Sequence, residues 1–211
     1  ALLLGKRRGF PKDAMEPNNI PLVVLGAGLL WFGWFGFNAG SALTAGGLAA
    51  NAFVTTNTSA AAAALTWMAI SWMHRRPTVL GVVTGAVAGL ATVTPAAGYV
   101  TPLSAAAIGI AASVVCYYSM RFFKTKLACD DSLDVFAVHG IGGVLGTLSV
   151  GVFATLAVNS SGADGLLAGN GMQLLNQLIG VGAVGVYAFA ATMILGKLVA
   201  LTVGLRVNPS E

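Results

Sequence analysis

The sequence predicts an all-α integral membrane protein, and three of its features lead to that fold class. Only 9% of its 211 residues are charged, whereas a soluble domain carries about 25% because its surface faces water. Hydrophobic residues make up 56% of the chain, and the mean hydropathy is +0.82. The 28 glycines lie within apolar runs, as in packed transmembrane helices, where small residues let backbones approach closely.

Six apolar segments are long enough, or nearly so, to cross a hydrocarbon core, which takes about 20 residues. Prolines mark several of their ends, where a missing backbone N–H does least harm. The last segment would be about 50 Å long as a continuous helix, so it should tilt strongly or break near Gly180–Gly185. In the third segment, Gly81, Gly85 and Gly89 recur every four residues, which favours a tightly packed interior helix. The predicted segments are 21–44, 48–73, 78–95, 102–123, 132–157 and 172–204.

The N-terminal residues suggest a piece of a longer protein. Ala1 to Leu4 resemble the last turn of a helix that begins upstream, because neither a basic region nor a cleavage site of a signal peptide accompanies them. We therefore expect a loop over residues 1–20, after a preceding helix that is absent here. A membrane domain of six transmembrane helices should follow over residues 21–211.

The basic residues fall in alternate connectors between these segments. They occur at Lys6–Lys12, at Arg75–Arg76, at Arg121–Lys126, and at Lys197 with Arg206. The opposite connectors, around 45–47, 96–101 and 158–171, contain no lysine or arginine. Since cytoplasmic loops collect these residues, the N-terminal loop and the C-terminus are predicted to be cytoplasmic, with an even number of crossings.

Charge and cysteine content exclude several function classes. The net charge of +4 does not indicate a nucleic-acid partner, because the basic residues punctuate apolar segments and do not form one basic face. Cys116 and Cys129 have neither metal-ligand spacing nor the pattern of a disulfide framework. The cysteine spacing therefore predicts no metal site, and we also expect neither a cofactor nor enzymatic activity.

One histidine is predicted to lie inside the membrane. His139 lies about eight residues into the fifth segment, roughly 12 Å along the helix, where an ionisable group is costly and usually functional. Another helix or a cavity should supply its partner; the alternative is a buried histidine satisfied by a backbone carbonyl. Asp131 and Asp134 open the same segment in an Asp-x-x-Asp pattern typical of a helix cap. They lie too far along the helix for an acid–base pair with His139.

Trp34, Phe37 and Ser41 share one face of the first segment, because they are spaced i, i+3 and i+7. Aromatic rings beside a hydroxyl can hold a cation, since a ring face attracts one by about 0.5–2 kcal/mol depending on desolvation. The alternative is an interfacial aromatic belt with ordinary packing, which the spacing alone favours.

Two long motifs carry a family resemblance. Residues 33–41, GWFGFNAGS, resemble the sixth transmembrane helix of ammonium transporters of the Amt/Rh family, and residues 130–143, DDSLDVFAVHGIGG, resemble their tenth. Shorter matches at 6–9, 94–99 and 201–207 extend the resemblance over nearly the whole chain. It implies an eleven-helix protomer of two inverted five-helix repeats with a long oblique last helix. This chain would hold the second repeat and that last helix, as helices six to eleven.

The resemblance also implies roles for the residues singled out above. His139 matches the second histidine of a mid-pore pair, whose first histidine belongs to the absent helix five. Trp34 and Ser41 match an outer recruitment site for ammonium, Phe37 matches a gating phenylalanine below it, and Asp131 matches a helix-start aspartate. The implied function is a channel or transporter for ammonium or ammonia, and for methylammonium, in a homotrimer with one pore per protomer.

Further expectations follow from that resemblance. The protein should be a multi-pass protein of the plasma membrane that requires the missing helices one to five, and a cytoplasmic PII-type regulatory protein is a candidate partner. Three alternatives stay open. They are an ammonium sensor of the same architecture, a channel for another small neutral solute such as urea or water, and a non-transporting assembly subunit.

Overall fold

The structure, a computed structural model, describes residues 2–13, 15–74 and 76–207, and all regular structure within these ranges is helical. The predicted all-α fold class is therefore confirmed. Arg75, part of one predicted basic connector, lies outside the described residues. The main helices are α1 (Ile20–Gly40), α2 (Gly47–His74), α3 (Val79–Val93), α4 (Pro102–Thr125), α5 (Gly142–Phe153) and α6 (Gly171–Thr202). A π-helical turn, Phe136–Ile141, leads directly into α5, and a 3-10 turn, Leu166–Ala168, precedes α6.

Local sequence explains where several helices begin. The Asn19 side chain accepts a hydrogen bond from the Leu22 backbone N–H at 3.0 Å, which caps α1. Thr78 and Thr101 cap α3 and α4 in the same manner. Pro102 occupies the first turn of α4, where a backbone N–H would have no intrahelical partner.

Within the described ranges, four helical stretches are long and apolar enough to cross a membrane, judged by length and composition: Ile20–Gly40, Pro102–Thr125, Phe136–Phe153 and Gly171–Thr202. Helix α3 is apolar but has only 15 residues. Helix α2 has 28 residues, but polar side chains interrupt its apolar sequence. Thr55, Thr56 and Ser59 among them are fully buried. This part of α2 therefore faces protein and not lipid.

The last helix is continuous. Helix α6 runs for 32 residues without the predicted break near Gly180–Gly185. At about 1.5 Å per residue it is longer than a hydrocarbon core is thick, so it must cross a bilayer obliquely. None of its described residues is buried, and its packing partners are α5 and the 3-10 turn before it.

Helices α2, α3 and α4 form the packed centre of the chain. Glycines allow the close approach predicted for α3: an added Cβ would lie 2.5 Å from Trp67 Cβ at Gly85, and 2.6 Å from the Ser59 carbonyl oxygen at Gly89. The Ser59 hydroxyl donates to the Gly89 carbonyl at 2.9 Å, so this contact is polar as well as tight. Gly109 of α4 also packs directly on Ser59. These three helices form a support on which α1 and α5 are placed.

Three segments that are distant in sequence meet at one end of the bundle. Arg7 binds Asp130 through its backbone N–H at 2.6 Å and through guanidinium hydrogen bonds of 2.7 and 3.0 Å. Arg206 donates to the carbonyl oxygens of Leu4 and Lys6 at 3.1 and 2.9 Å. The N-terminal loop, the loop after α4 and the segment after α6 thus share one end. That this end is cytoplasmic stays a prediction.

Candidate conduction site

The predicted face of α1 carries a connected group of side chains at the end of the helix away from the N-terminal loop. The rings of Trp34 and Phe37 meet edge to face with their centroids 6.2 Å apart. Ser41 is the C-terminal cap of α1, and its hydroxyl donates to the Phe37 carbonyl at 2.6 Å. Because that hydroxyl proton is engaged, the Ser41 oxygen keeps its lone pairs for a donor from outside. Phe37 is 61% exposed and Ser41 is exposed as well, so both can be reached.

The indole of Trp34 is held by α3. Its Nε1–H donates to Thr94 Oγ1 at 2.7 Å, and the Thr94 hydroxyl donates in turn to the Leu90 carbonyl at 2.8 Å. This partner lies 60 residues from Trp34, so no local pattern could have revealed it. Trp34 and Ser41 are two helical turns apart, about 10 Å along the axis. They therefore form two successive contacts, with Phe37 between them, and not a single cage.

A buried hydrogen bond fixes how α1 is rotated about its axis. Asn38 is 9% exposed, and its Nδ2 donates to Thr56 Oγ1 of α2 at 2.9 Å. The Thr56 hydroxyl donates to the Ala52 carbonyl at 2.6 Å, so both polar groups are satisfied. Asn38 follows Phe37 directly in the helix, so the two side chains point in different directions. When Asn38 is held against α2, Phe37 faces away from the packed helices and stays exposed. Sequence reasoning missed this role, although a lone amide in an apolar helix is the signal that points to it.

His139 lies in the π-helical turn that leads into α5. Its neighbours Ala137 and Val138 are 2% and 3% exposed, and Val138 packs against residues of α3 and α4. His139 itself is exposed, and no hydrogen-bond partner of its ring occurs among the described residues. A backbone carbonyl that satisfies it, the alternative considered above, is thus not present in the described part of the chain. Single π-helical turns occur frequently at functional sites.

Helix α1 and the turn that carries His139 are separate. Helix α1 packs on α2 and α3, whereas the π-helical turn packs on α3, α4 and α5. The structure therefore brings Trp34, Phe37 and Ser41 together but does not join His139 to them. No group of three or more His, Cys, Asp or Glu side chains that could hold a metal ion occurs in the described part of the chain.

The two aspartates before the turn have different contacts. Asp131 accepts a hydrogen bond from the Phe136 backbone N–H at 2.7 Å, as a cap at a helix start does. Asp134 differs from the expected cap, because its carboxylate accepts from Lys124 Nζ at 2.8 Å. Its φ of 56° is a left-handed conformation that aspartate adopts more readily than most residues. Asp134 thus joins the end of α4 to the start of the π-helical turn.

The ionisation of Asp134 reflects two opposing influences. Burial raises the pKa of its carboxyl above the ordinary value, and the hydrogen bond from Lys124 acts in the opposite direction. The side chain of Asp134 is 17% exposed and that of Lys124 is 38% exposed, so water reaches the lysine more freely. This pair is a structural link at the start of the π-helical turn, and neither described side chain hydrogen-bonds to His139.

Comparison with known proteins identifies the family. A family model described as "Ammonium Transporter Family" matches residues 1–211. The chain is 52% identical to the ammonium transporter Amt1 of Archaeoglobus fulgidus, over 100% of this chain and 53% of that protein. It resembles the crystal structure of Mep2 from Candida albicans with a TM-score of 0.91 and 34% identity, over 100% of this chain and 49% of that one. It also resembles a structure described as "Sensor Amt Protein" with a TM-score of 0.81 and 36% identity, over 92% of this chain and 47% of that one.

The chain thus spans about half the length of the relatives it matches. The names of two of them describe an ammonium transporter and a sensor. The family model covers the whole chain, and the likeness in structure extends over nearly all of it. This chain belongs to the ammonium transporter family.

Proposed function

We propose that the complete protein conducts ammonium, as the ion or as ammonia, through a pore that α1 and α5 help to line. One observation carries the proposal. Phe37 and Ser41 on α1, and His139 before α5, lie on exposed faces of helices whose other faces are fixed to the α2–α4 centre. A soluble ion has to exchange its hydration for protein groups in order to cross, and these are the groups that the chain leaves open.

The end of α1 supplies the first contacts. The Ser41 oxygen accepts an N–H of ammonium, because its own proton is engaged with the Phe37 carbonyl. The Phe37 ring then covers the entrance, and Trp34 contributes a second aromatic face about 10 Å along the axis from Ser41. Ring faces attract a cation more strongly as it loses water. The proposed recruitment contacts at Ser41 and Trp34 therefore lie on either side of Phe37, the proposed gate, and the ion would meet Ser41, Phe37 and Trp34 in that order.

His139 is proposed to serve the step beyond the gate. A bare cation is strongly disfavoured among apolar side chains, so the ion must lose a proton or be stabilised by a polar group. A neutral imidazole both donates and accepts hydrogen bonds, and it can therefore bind ammonia or relay the proton. A second histidine on a helix outside this chain is proposed to complete the pair.

The rest of the assembly is proposed on the same basis. Residues 1–211 form one side of the pore, and helices from the remainder of the protein form the other. The complete protein is proposed to be a homotrimer in the plasma membrane, with the end that carries Arg7, Asp130 and Arg206 in the cytoplasm. A PII-type regulatory protein would bind at that cytoplasmic end.

The test compares wild type, His139→Ala and His139→Glu in the complete protein at matched membrane expression. Methylammonium uptake and ammonium-evoked currents are measured over a range of pH. We expect His139→Ala to assemble normally yet to lose transport or selectivity, while His139→Glu retains more activity because it can still exchange a proton. His74→Ala is the matched control, because His74 binds the Ile70 carbonyl of its own helix. An Ala variant equal to wild type in rate, selectivity and pH dependence would make His139 a structural residue.

A sensor is the second candidate, because one of the similar structures is described as a sensor protein of this type. In a sensor, the same residues would bind ammonium without supporting flux. Reconstituted complete protein that binds ammonium but shows no methylammonium uptake would favour it. Uptake of urea that resists competition by ammonium would instead favour a channel for neutral solutes.

A further inference from the structure

One buried hydroxyl has no partner in the described part of the chain. Thr92 of α3 is 0% exposed, and its Oγ1 makes no hydrogen bond to any described residue. A buried polar group without a partner is unfavourable, and most such groups in folded proteins are paired. This hydroxyl therefore requires a physical explanation.

Two other threonines, one within α3 and one at its C-terminal end, make a local hydrogen bond that Thr92 lacks. Thr84 donates to the Leu80 carbonyl and Thr94 donates to the Leu90 carbonyl, each four residues back and each at 2.8 Å. This is the usual local partner of a helical threonine. Thr92 lies between them in sequence and does not make the equivalent bond. Its hydroxyl points instead toward another element.

That element is the junction between the π-helical turn and α5. A Cβ added at Gly142 would lie 2.8 Å from Thr92 Oγ1, so the hydroxyl fills the space that a side chain would take. One turn further along, Gly146 packs directly on the Thr92 carbonyl oxygen. The two glycines bring the backbone of α5 against Thr92. Gly142 comes three residues after His139.

The backbone pairing at this junction is irregular. The Gly142 N–H donates to the His139 carbonyl, three residues back. In a regular α-helix the Gly142 N–H would donate to the Val138 carbonyl, four residues back, but here it donates to the His139 carbonyl instead. The change occurs where the Thr92 hydroxyl lies next to Gly142.

We propose that Thr92 is a positioning residue for His139. Its hydroxyl serves as the alternative donor to the Val138 carbonyl, and the bond closes when the turn shifts during conduction. The Val138 carbonyl would then accept a hydrogen bond from the Thr92 hydroxyl in one state and from the Gly142 N–H in the other. The helical pitch of the turn differs between the two states, and the His139 ring moves with it. Its effect on transport rests on the proposed function, whereas its effect on the His139 ring does not.

The experiment uses the complete protein with Thr92→Val, Thr92→Ser and the control Thr84→Val. Two quantities are measured: the ¹⁵N signals of the His139 ring, assigned by their loss in His139→Ala, and the pH profile of methylammonium uptake. We expect Thr92→Val to shift the His139 signals and to lower uptake or displace its pH profile. Displacing a reacting group can cost up to roughly 100-fold in rate. Thr92→Ser should retain wild-type behaviour, because it keeps the hydroxyl, and Thr84→Val should change neither quantity.

Several outcomes separate the possibilities. Unchanged His139 signals in Thr92→Val overturn the proposal, and so does a Thr92→Ser variant as impaired as Thr92→Val, because the methyl group would then be what matters. If the signals move while uptake stays normal, Thr92 still positions the ring and the conduction role of His139 fails instead. Should Thr92→Val not assemble, Thr92→Ala takes its place in the comparison with Thr92→Ser.

Discussion

Polar side chains have different hydrogen-bond partners in the central helices, α2 to α4, and on the outer face of α1, the face that carries Trp34, Phe37 and Ser41. In α2, Thr55 donates to the Ala97 carbonyl at 2.9 Å, and Ser59 donates to the Gly89 carbonyl, so buried hydroxyls fasten one element to another. At the end of α1, the Ser41 hydroxyl bonds only within its own helix and leaves its oxygen exposed. Polar groups that hold the fold are thus paired across elements. The exposed oxygen of Ser41, whose only partner is local, is the polar group that the proposed function uses.

The largest loss of stability is expected at Gly89, where α3 packs most closely on α2. Gly89→Ala would place a Cβ 2.5 Å from Ala63 Cβ and 2.6 Å from the Ser59 carbonyl, where backbone limits relaxation. Overpacking of this kind costs about 1–3 kcal/mol, sometimes more. We expect a marked loss of assembled protein and a lower Tm in size-exclusion and thermal-shift measurements. Gly98→Ala is the control, since its Cβ would make an ordinary contact at 3.7 Å with Leu48. Equal stability of the two variants would contradict the distinction drawn here.

On the outer face, Trp34→Leu should act on affinity more than on folding. Losing a ring contact of about 1–2 kcal/mol weakens apparent ammonium affinity roughly 5- to 30-fold. The concentration dependence of ammonium-evoked currents and their selectivity over potassium measure this. Trp72→Leu serves as control, because Trp72 is 69% exposed and lies near the other end of the bundle. If Trp34→Leu lowers stability and leaves affinity and selectivity unchanged, Trp34 belongs with the packing residues.

The Asn38–Thr56 bond lies at the border of the two regions. A double-mutant cycle of Asn38→Ala and Thr56→Ala should give a coupling free energy of about 0.5–1.5 kcal/mol, as expected for a buried neutral hydrogen bond. The free energy of unfolding of the complete protein supplies the four values. Thr56→Ala with Asn51→Ala is the matched cycle, because the Asn51 side chain binds the Ala97 and Val100 carbonyls and not Thr56. Coupling near zero for Asn38 and Thr56 would mean that this bond does not set the rotation of α1.

The smallest effect is expected at the Arg7–Asp130 pair. The hydrogen bonds from Arg7 are the main reason that the pKa of Asp130 falls to about 2. A lowered carboxyl pKa contributes stability that is fully present above the unfolded value of about 3.9 and is lost as pH falls toward the folded value. Proteolysis of the loop over residues 2–13 should therefore not vary between pH 5 and pH 8. It should increase modestly in Asp130→Asn at every pH in that range. A wild-type loop that is released near pH 6 would contradict the assignment.

Sequence reasoning succeeded where the physical signal is local. Hydropathy, with Pro21 and Pro102 at helix starts, predicted helical segments where α1 to α4 and α6 lie, whereas the fifth predicted segment, 132–157, holds the π-helical turn and the shorter α5. The glycines of α3 indicated its close packing. Sequence reasoning did not find the π-helical turn, since FAVHGI contains no proline, and its one glycine, Gly140, does not distinguish a π-helical turn from a regular α-helix. The long α6 showed no break, because the glycines near its middle lie on an open face where nothing forces a kink.

The contacts that define the candidate site were less accessible. Thr94 and Trp34 are 60 residues apart, and Lys124 and Asp134 are separated by a loop, so only the folded chain shows these pairs. Sequence reasoning treated Asp131 and Asp134 alike, as groups at a helix start, and could not distinguish the contacts of the two. Asp131 accepts a hydrogen bond from the Phe136 backbone N–H, whereas Asp134 accepts one from Lys124. The spacing of the two aspartates does not predict this difference.

The polar interior of α2 also has a consequence for how the protein is made. A helix enters the bilayer from the translocon according to its own apolarity, and serine, threonine and asparagine lower that tendency. Helix α2 contains several such residues, and α3, its main packing partner, has only 15 residues. We therefore expect α2 and α3 to be inserted together as a helical hairpin, with the Ser59–Gly89 contact formed during synthesis. A substitution that separates them would then appear as a chain that never reaches the membrane, and not as a mature protein that unfolds.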